Sequence, residues 1–218
     1  MEIIRAEQVS KGFDGLFRLG PLDLRVAAGE ILGIVGPAGS GKTTLLRLFW
    51  GFVRPDSGRI SILGMQPHLN QLQLRRHVGY LTQNPRFHSE CTAKQFLQLV
   101  GHFYDGWEET YASRLLSQLD IDPQEKIRRL SSGDRIKVAI VAAASHQPAL
   151  LLLDEPTSGV DLVARLDILR FLKRLARKKH VAMLVSCRLP DDLDYIADSV
   201  LMLKDGRAIE YAGSIQQS

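Results

Sequence analysis

Residues 36–43 read Gly-Pro-Ala-Gly-Ser-Gly-Lys-Thr and complete the G-x-x-x-x-G-K-T pattern of a phosphate-binding loop. The apolar run at residues 30–35 predicts a buried strand before this loop, and residues 44–50 predict a helix after it. Glycine has no Cβ, so the loop backbone can approach a phosphate closely and point several N–H groups at one anion. The N-terminus of the following helix also favours negative charge. The pattern therefore predicts a strand, loop and helix that bind a nucleoside triphosphate.

Two side chains at the end of this loop are predicted to act on the phosphates. Lys42 can reach the β- and γ-phosphates, and the Thr43 hydroxyl can hold Mg²⁺. The segment expected to bind the nucleotide comprises Gly36, Pro37, Ala38, Gly39, Ser40, Gly41, Lys42, Thr43 and Thr44.

The composition is that of an ordinary globular protein, with 218 residues, 45% hydrophobic and 24% charged. The longest apolar stretches, at residues 138–144 and 149–153, are too short to cross a bilayer, and the N-terminus lacks the layout of a signal peptide. Cys91 and Cys187 have no metal-like spacing and predict reduced thiols in a cytosolic protein.

The net charge of +4 is concentrated in the basic run at residues 173–179. Leucines recur through this region at helical spacing, so the run predicts the solvated face of an amphipathic helix. Contact with nucleic acid or with an anionic membrane surface is the alternative. The charge alone does not define a function.

The order of elements predicts an α/β core that carries one inserted helical segment, at about residues 86–147. Short strands are expected in the first thirty residues, because glycines interrupt the apolar runs there. Thr92 and Gln95 form a capping-box pattern at the start of a helix. Further elements are expected as strands at 59–63, 149–153 and 181–185, helices at 107–119, 135–145 and 162–178, and a hairpin joining 200–203 to 207–211.

Residues 130–161 carry the motifs that indicate a family. Leu130-Ser131-Ser132-Gly133-Asp134 precedes four leucines at 150–153, which lead into Asp154-Glu155 and then Ser158-Gly159-Val160-Asp161. In this order, and with the phosphate loop upstream, the sequence resembles the ABC-type ATPases over essentially the whole chain. Residues 103–109 and 126–130 are most similar to small bacterial exporter ATPases.

The resemblance implies a P-loop NTPase core of the ABC ATPase type, with an antiparallel β region and the inserted helical subdomain, in a single domain over residues 1–218. It also implies that the chain binds ATP and Mg²⁺ and hydrolyses ATP. Asp154, at the end of a parallel strand, is predicted to bind Mg²⁺, and Glu155 to act as the general base. Gln83 matches a glutamine of the family that touches Mg²⁺ or water.

The remaining predicted site residues concern the adenine ring and a second subunit. Phe13 aligns with the aromatic residue that stacks on adenine, although Phe17 is close enough to compete. The resemblance places the signature residues opposite the γ-phosphate of a second ATPase subunit, so that two ATPs are buried in a head-to-tail dimer. Taken alone, Ser131 and Asp134 would be a plain capping box. The residues assigned to nucleotide binding here are Ser131, Ser132 and Gly133 of the signature and Asp161 of the Ser-Gly-Val-Asp loop.

The resemblance implies two partners: a second ATPase subunit, in a homo- or heterodimer, and a separate transmembrane permease subunit. ATP binding would close the dimer and hydrolysis would reopen it, which would drive an exporter at the cytoplasmic face of the inner or plasma membrane. No nucleic acid is expected.

The docking surface is expected after Gln83, although each aromatic residue there is also a candidate for the subdomain core: Phe87, Phe96, Phe103 and Tyr104. A soluble ABC ATPase without a transporter, or a regulatory ATP-binding subunit with weak hydrolysis, are the alternative functions.

The sequence departs from the family pattern at two positions. Asp134 stands where glutamine is usual, and its charge would repel a triphosphate unless it turned toward Arg135 or the helix N-terminus. Arg188 stands where the family has its switch histidine, and arginine has no acceptor lone pair with which to order water. One hypothesis is a site that hydrolyses slowly or needs a partner with a complete site. The rival is an active enzyme in which Arg188 stabilises charge in the transition state.

Overall fold

The computed structural model describes residues 1–13, 15, 17–188 and 190–212. The chain begins with a long antiparallel hairpin of β1 (Glu2–Phe13) and β2 (Phe17–Ala27), closed by the pairing of Phe13 with Phe17. The expectation of short strands is therefore wrong, because the strands have 12 and 11 residues. Gly20 does not end its strand. Its φ of 84° and its close approach to the Val9 carbonyl place it at an irregularity where the register shifts.

The hairpin belongs to a small antiparallel sheet. β4 (Ser57–Ile62) pairs with the other edge of β1, which gives the order β2-β1-β4. Buried residues alternate with exposed ones along most of β2, and along β1 the alternation is interrupted where the register shifts, as expected when one face of a bulged sheet covers a core. This sheet confirms the predicted antiparallel β region.

A six-stranded sheet forms the centre of the molecule, with the order β5-β6-β7-β3-β8-β9. Five of its strands are parallel, and the last one returns as the predicted hairpin. The phosphate loop and the acidic pair leave the carboxyl ends of β3 and β6, which is where ligands bind in parallel α/β sheets. The strands are β3 (Ile31–Val35), β5 (Val78–Leu81), β6 (Leu150–Asp154), β7 (Ala182–Cys187), β8 (Ser199–Lys204) and β9 (Arg207–Ala212).

Seven α-helices are found in the described part of the chain. Three of them lie within the predicted helical segment, and the first of these three is opened by the predicted capping box between Thr92 and Gln95. The sequence did not predict the short helices at Gln71–Leu74 and Asp191–Ile196 or the strand β5, because each is only four to six residues long. The helices are α1 (Lys42–Trp50), α2 (Gln71–Leu74), α3 (Ala93–Gly101), α4 (Glu109–Gln118), α5 (Ser132–Ala144), α6 (Leu162–Lys179) and α7 (Asp191–Ile196).

Two surface predictions can be compared directly with the structure. The basic run lies on α6, where Leu172 and Leu175 are buried and Arg174 and Arg177 are exposed, so the amphipathic helix is confirmed. Within the described ranges, no helix combines the length and the apolarity that crossing a bilayer requires.

The four aromatic residues expected near a docking surface have different environments. Phe87 and Phe96 contact each other, with ring centroids 5.2 Å apart, and pack against the buried core. Tyr104 stacks on His146. Phe103 is the exposed member of the group, with 80% of its surface accessible.

Candidate functional site

The phosphate loop lies between β3 and α1, and two of its glycines show why glycine is needed. Gly41 has a φ of 107°, and a Cβ on Gly36 would lie 2.2 Å from the Leu203 carbonyl oxygen. Lys42 is the first residue of α1, and its side chain is only 4% exposed. Its Nζ donates to the carbonyl oxygens of Gly36 at 2.7 Å and Pro37 at 3.0 Å. The ammonium group is therefore held over the loop, where it can meet an anion.

Asp154 ends β6 and is 1% exposed. Its Oδ2 accepts a hydrogen bond from Thr43 Oγ1 at 2.8 Å, so the structure brings together two of the three predicted Mg²⁺ ligands. Gln83, the third, lines the same cavity as Thr43 and Asp154, although its amide contacts Glu155. A buried carboxylate, a hydroxyl and an amide carbonyl are oxygen donors of the type that Mg²⁺ prefers, so the residues present fit this cation.

Glu155 follows Asp154 in the left-handed region, with a φ of 50°, and is 7% exposed. Its Oε2 accepts hydrogen bonds from Gln83 Nε2 at 2.8 Å and from Arg188 Nε at 2.7 Å. Lys42 Nζ lies 3.6 Å from Oε1. A buried carboxylate is costly unless donors or cations compensate its charge, and these three side chains provide that compensation.

Ser186 connects the two acids, although the sequence patterns assigned it no role. Its Oγ donates to Asp154 Oδ1 at 2.8 Å and accepts from the backbone N–H of Glu155 at 2.9 Å. The pairing of β6 with β7 places Ser186 directly beside Asp154. A hydroxyl within an otherwise apolar strand was the available signal, since a buried polar side chain needs a partner.

A cavity of about 330 Å³ joins the predicted catalytic residues to the loop. The structure places Phe17 in this cavity, where its ring lies close to Gly41. Phe13, which the sequence favoured for adenine stacking, does not line the cavity and instead lies near the ammonium of Lys11. The cavity is lined by Phe17, Ala38, Gly39, Ser40, Gly41, Lys42, Thr43, Thr44, Gln83, Glu155 and Arg188.

The signature residues lie at the start of α5, outside this cavity. Ser131 caps the helix, since its Oγ accepts from the Asp134 N–H at 3.0 Å and donates to Asp134 Oδ2 at 2.7 Å. Asp134 has turned toward the helix N-terminus and toward Lys137, whose Nζ is 3.5 Å from its Oδ1, rather than toward Arg135. A Cβ on Gly133 would lie 2.4 Å from the Cβ of Ala164, so this glycine allows α5 to approach α6.

Two other predicted residues border the signature region. Ser132 lines a groove with Gln83 and Ser158. Asp161 caps α6 by accepting from the N–H groups of Val163 and Ala164. The hydrogen bond from the backbone N–H of Ala164 is the main reason that the pKa of Asp161 lies below its usual value. Inside one chain, the contacts of Asp161 are therefore those of a helix cap.

Known proteins are similar to this chain in sequence. The ABC transporter family profile matches residues 19–158. The ABC transporter ATP-binding protein YtrB of Bacillus subtilis (strain 168) is 32% identical over 204 residues, which cover 93% of this chain and 69% of that protein. The bacitracin transport ATP-binding protein BcrA of Bacillus licheniformis is 26% identical over 210 residues, which cover 95% of this chain and 69% of that protein.

The fold also agrees with solved structures. A dimeric ATP-binding cassette, MJ0796, bound to ADP and Pi, superposes with a TM-score of 0.86 at 22% identity, covering 99% of this chain and 100% of that one. Together with the sequence matches, this shows that the chain belongs to the ABC transporter family, as one of its ATP-binding ATPase subunits.

Proposed function

We propose that this chain binds MgATP in the cavity beside the phosphate loop and hydrolyses it to power an exporter. The observation that carries the proposal is the convergence of Lys42, Thr43, Asp154 and Glu155 at one end of the parallel sheet. These side chains supply a cation, oxygen ligands and a carboxylate within a few ångströms of one another. Phosphoryl transfer depends mostly on such positioning and charge neutralisation.

Each residue has a role that follows from its place. Lys42 would neutralise the β- and γ-phosphates, and backbone N–H groups of residues 38–43 would hold their oxygens. Thr43, Asp154 and Gln83 would hold Mg²⁺, which supplies further charge neutralisation when bound. Glu155 would accept a proton from the attacking water, and Ser186 holds the backbone N–H of Glu155 and the carboxylate of Asp154 in place.

The dimer is part of the same proposal. Ser131, Ser132, Gly133 and Asp161 lie away from the chain's own cavity, on elements that can face a second subunit. The dimeric arrangement of the MJ0796 cassette supports this pairing. Closure would bring the N-terminus of α5 against the γ-phosphate held by the partner, and hydrolysis would reopen the dimer.

A separate membrane-embedded subunit would receive this motion. The groove beside Gln83, of about 410 Å³, is the proposed docking surface, and Phe87 and Ile136 form part of its apolar wall. Export as the direction of transport rests on the similarity of residues 103–109 and 126–130 to exporter ATPases.

The test is steady-state ATP hydrolysis by the purified chain with Mg²⁺. We expect Glu155→Gln to lower kcat by about 10²- to 10⁴-fold while ATP still binds, because it removes the proton acceptor and keeps the size of the side chain. Glu2→Gln, an exposed glutamate outside the site, is the matched control. Turnover that survives Glu155→Gln would refute the assignment of the base.

A second experiment addresses the partner. If the chain energises a transporter, it should co-purify with an integral membrane protein that stimulates its ATP turnover. Isolation without any membrane protein would favour a soluble ABC ATPase. The regulatory alternative, an ATP-binding subunit with weak hydrolysis, is favoured by one specific observation: the direct contact of Arg188 with Glu155.

A further inference from the structure

One of the two oxygens of the Glu155 carboxylate is fully engaged with donors from neighbouring side chains. Its Oε2 accepts from two donors, Gln83 Nε2 at 2.8 Å and Arg188 Nε at 2.7 Å, which use both lone-pair directions of that oxygen. The other oxygen, Oε1, faces the ammonium of Lys42 at 3.6 Å. A base must present an open lone pair to the water that it deprotonates. In this arrangement Oε2 is therefore unsuited to accept that proton.

Arg188 is the cation that makes the close contact. Lys42 donates to two backbone carbonyls and stays beyond hydrogen-bond distance of Glu155. Arg165, in the neighbouring cavity of about 390 Å³, is paired with Asp192 and does not compete for Glu155. The Arg188–Glu155 pair is thus a charge-assisted hydrogen bond between a buried carboxylate and a permanently charged guanidinium.

Arg188 is also placed where it can change partners. It follows β7, its side chain is 54% exposed, and it lines both the cavity of the phosphate loop and the neighbouring cavity. The γ-phosphate of ATP carries more negative charge than one carboxylate, so it competes for the same guanidinium. A neutral histidine in this position would hold Glu155 less strongly, since it lacks a fixed charge.

We propose that Arg188 is a positioning residue that restrains Glu155, so that Glu155 acts on water only after a bound triphosphate has drawn Arg188 away. This inference rests on the proposed ATPase function and adds to it a built-in restraint on hydrolysis. The restraint acts through Glu155, so its main effect is on the rate of turnover; for ATP affinity, loss of the Arg188 contact with the phosphate and loss of its competing contact with Glu155 act in opposite directions.

The first test separates kcat from KM. Arg188→Ala and Arg188→His should raise kcat about tenfold, with KM within about threefold of the wild-type value, because the restraint is removed and the phosphate loop is unchanged. Arg188→Lys keeps a cation and should have a kcat closer to that of the wild type than to that of Arg188→Ala. Arg174→Ala, an exposed arginine on α6, is the control.

Three results would overturn the inference. A fall of kcat in Arg188→Ala toward the level of Glu155→Gln would make Arg188 a catalytic residue that stabilises the transition state. An unchanged kcat would show that the contact restrains nothing. A lysine variant as fast as the alanine variant would show that charge is not the cause.

The second test needs no ATP. Thermal unfolding of the wild type, Glu155→Gln, Arg188→Ala and the double variant forms a cycle that measures the coupling of the two side chains. We expect Arg188→Ala to lower Tm clearly in the wild-type background and much less in the Glu155→Gln background, which lacks the carboxylate charge. Additive effects on Tm would show that the side chains of Arg188 and Glu155 do not stabilise each other.

ATP binding, measured by equilibrium dialysis with Lys42→Ala as the reference, tells the two proposals apart. If the chain binds no ATP, the proposed function fails while the unfolding cycle still tests the pair. If ATP binds and the cycle is additive, the restraint fails and the proposed function stands.

Discussion

The imidazole of His146 stacks on the phenol ring of Tyr104, with centroids 4.2 Å apart and an angle of 18° between the planes. His146 follows α5 and is 6% exposed, so the stack fixes the end of this helix to the segment after α3. Burial lowers the pKa of His146 from 6.5 to about 4. The histidine is therefore neutral in the folded protein at pH values where an exposed histidine takes up a proton.

This burial predicts a loss of stability in mild acid. Between pH 6.5 and about 4 the unfolded chain binds a proton at His146 that the folded chain does not, so the free energy of unfolding falls as the pH is lowered through this range. At about 1.4 kcal/mol per pH unit, the full loss is on the order of 3 kcal/mol. Urea unfolding at pH 7 and pH 5 should show about 2 kcal/mol of this loss.

Two variants identify the group responsible. His146→Phe keeps an aromatic ring against Tyr104 but cannot titrate, so its stability should depend less on pH in this range. His88→Gln removes an exposed histidine and should leave the wild-type dependence intact. An equal loss of stability in acid in the wild type and in His146→Phe would show that another group causes the effect.

Gly79 in β5 is predicted to be intolerant of any side chain. A Cβ there would lie 2.1 Å from the Ala143 carbonyl oxygen of α5, which is backbone and cannot turn away. Gly79→Ala should lower the free energy of unfolding by about 1–3 kcal/mol through overpacking. Gly106→Ala, whose Cβ would meet nothing nearer than 4.0 Å, should change it by less than about 0.5 kcal/mol. Equal stabilities in urea unfolding would show that α5 can move off the strand.

The position of Phe17 predicts its effect on nucleotide binding. Its ring lines the cavity beside Gly41, whereas Phe13 does not, so Phe17→Ala should weaken ATP binding about three- to tenfold and Phe13→Ala should change it less. Titration of both variants with ATP and with inorganic triphosphate, which has no base to stack, provides the comparison. A loss confined to Phe13→Ala would restore the assignment that the sequence favoured.

The charge of Asp134 is predicted to weaken dimer closure. Asp134 accepts the hydrogen bond of the Ser131 hydroxyl and adds a negative charge where a triphosphate is expected. Asp134→Gln should strengthen ATP-dependent dimerisation by up to about fivefold, which corresponds to about 1 kcal/mol. Sedimentation in the Glu155→Gln background measures it, with the exposed Asp105→Asn as the control. Weaker dimerisation would mean that the pair of Asp134 with Lys137 supports the signature geometry.

Local patterns predicted much of the fold and part of the site. The phosphate loop, the acids after the leucine run, the capping box of α3 and the last hairpin are each encoded within a few consecutive residues. The expectation of short strands failed because a glycine such as Gly20 can lie inside a strand as well as end one. Only the pairing of β1 with β2 shows that it sits at an irregularity.

The contacts within the site depended on positions far apart in the chain. Ser186 and Arg188 reach the acids because β7 pairs with β6. No short sequence pattern indicates how these two strands are aligned. Likewise, the choice of Asp134 between Arg135 and Lys137 follows from the packing of α5, which buries Lys137 and brings it near Asp167. The residue types were readable in the sequence, but their partners required the tertiary structure.

The close packing of α5 against Gly79 determines how a movement of β5 would reach the other end of this helix. Ser131 caps the N-terminus of α5, and Ala143 lies near its C-terminus. The 13 residues of this helix are mostly buried and span about 20 Å. The strand β5, which packs against the C-terminal end of α5, ends at Leu81, and Gln83 follows two residues later. A displacement of that loop would therefore be transmitted through α5 to its N-cap residue Ser131, on the surface that the proposed dimer places against a second subunit.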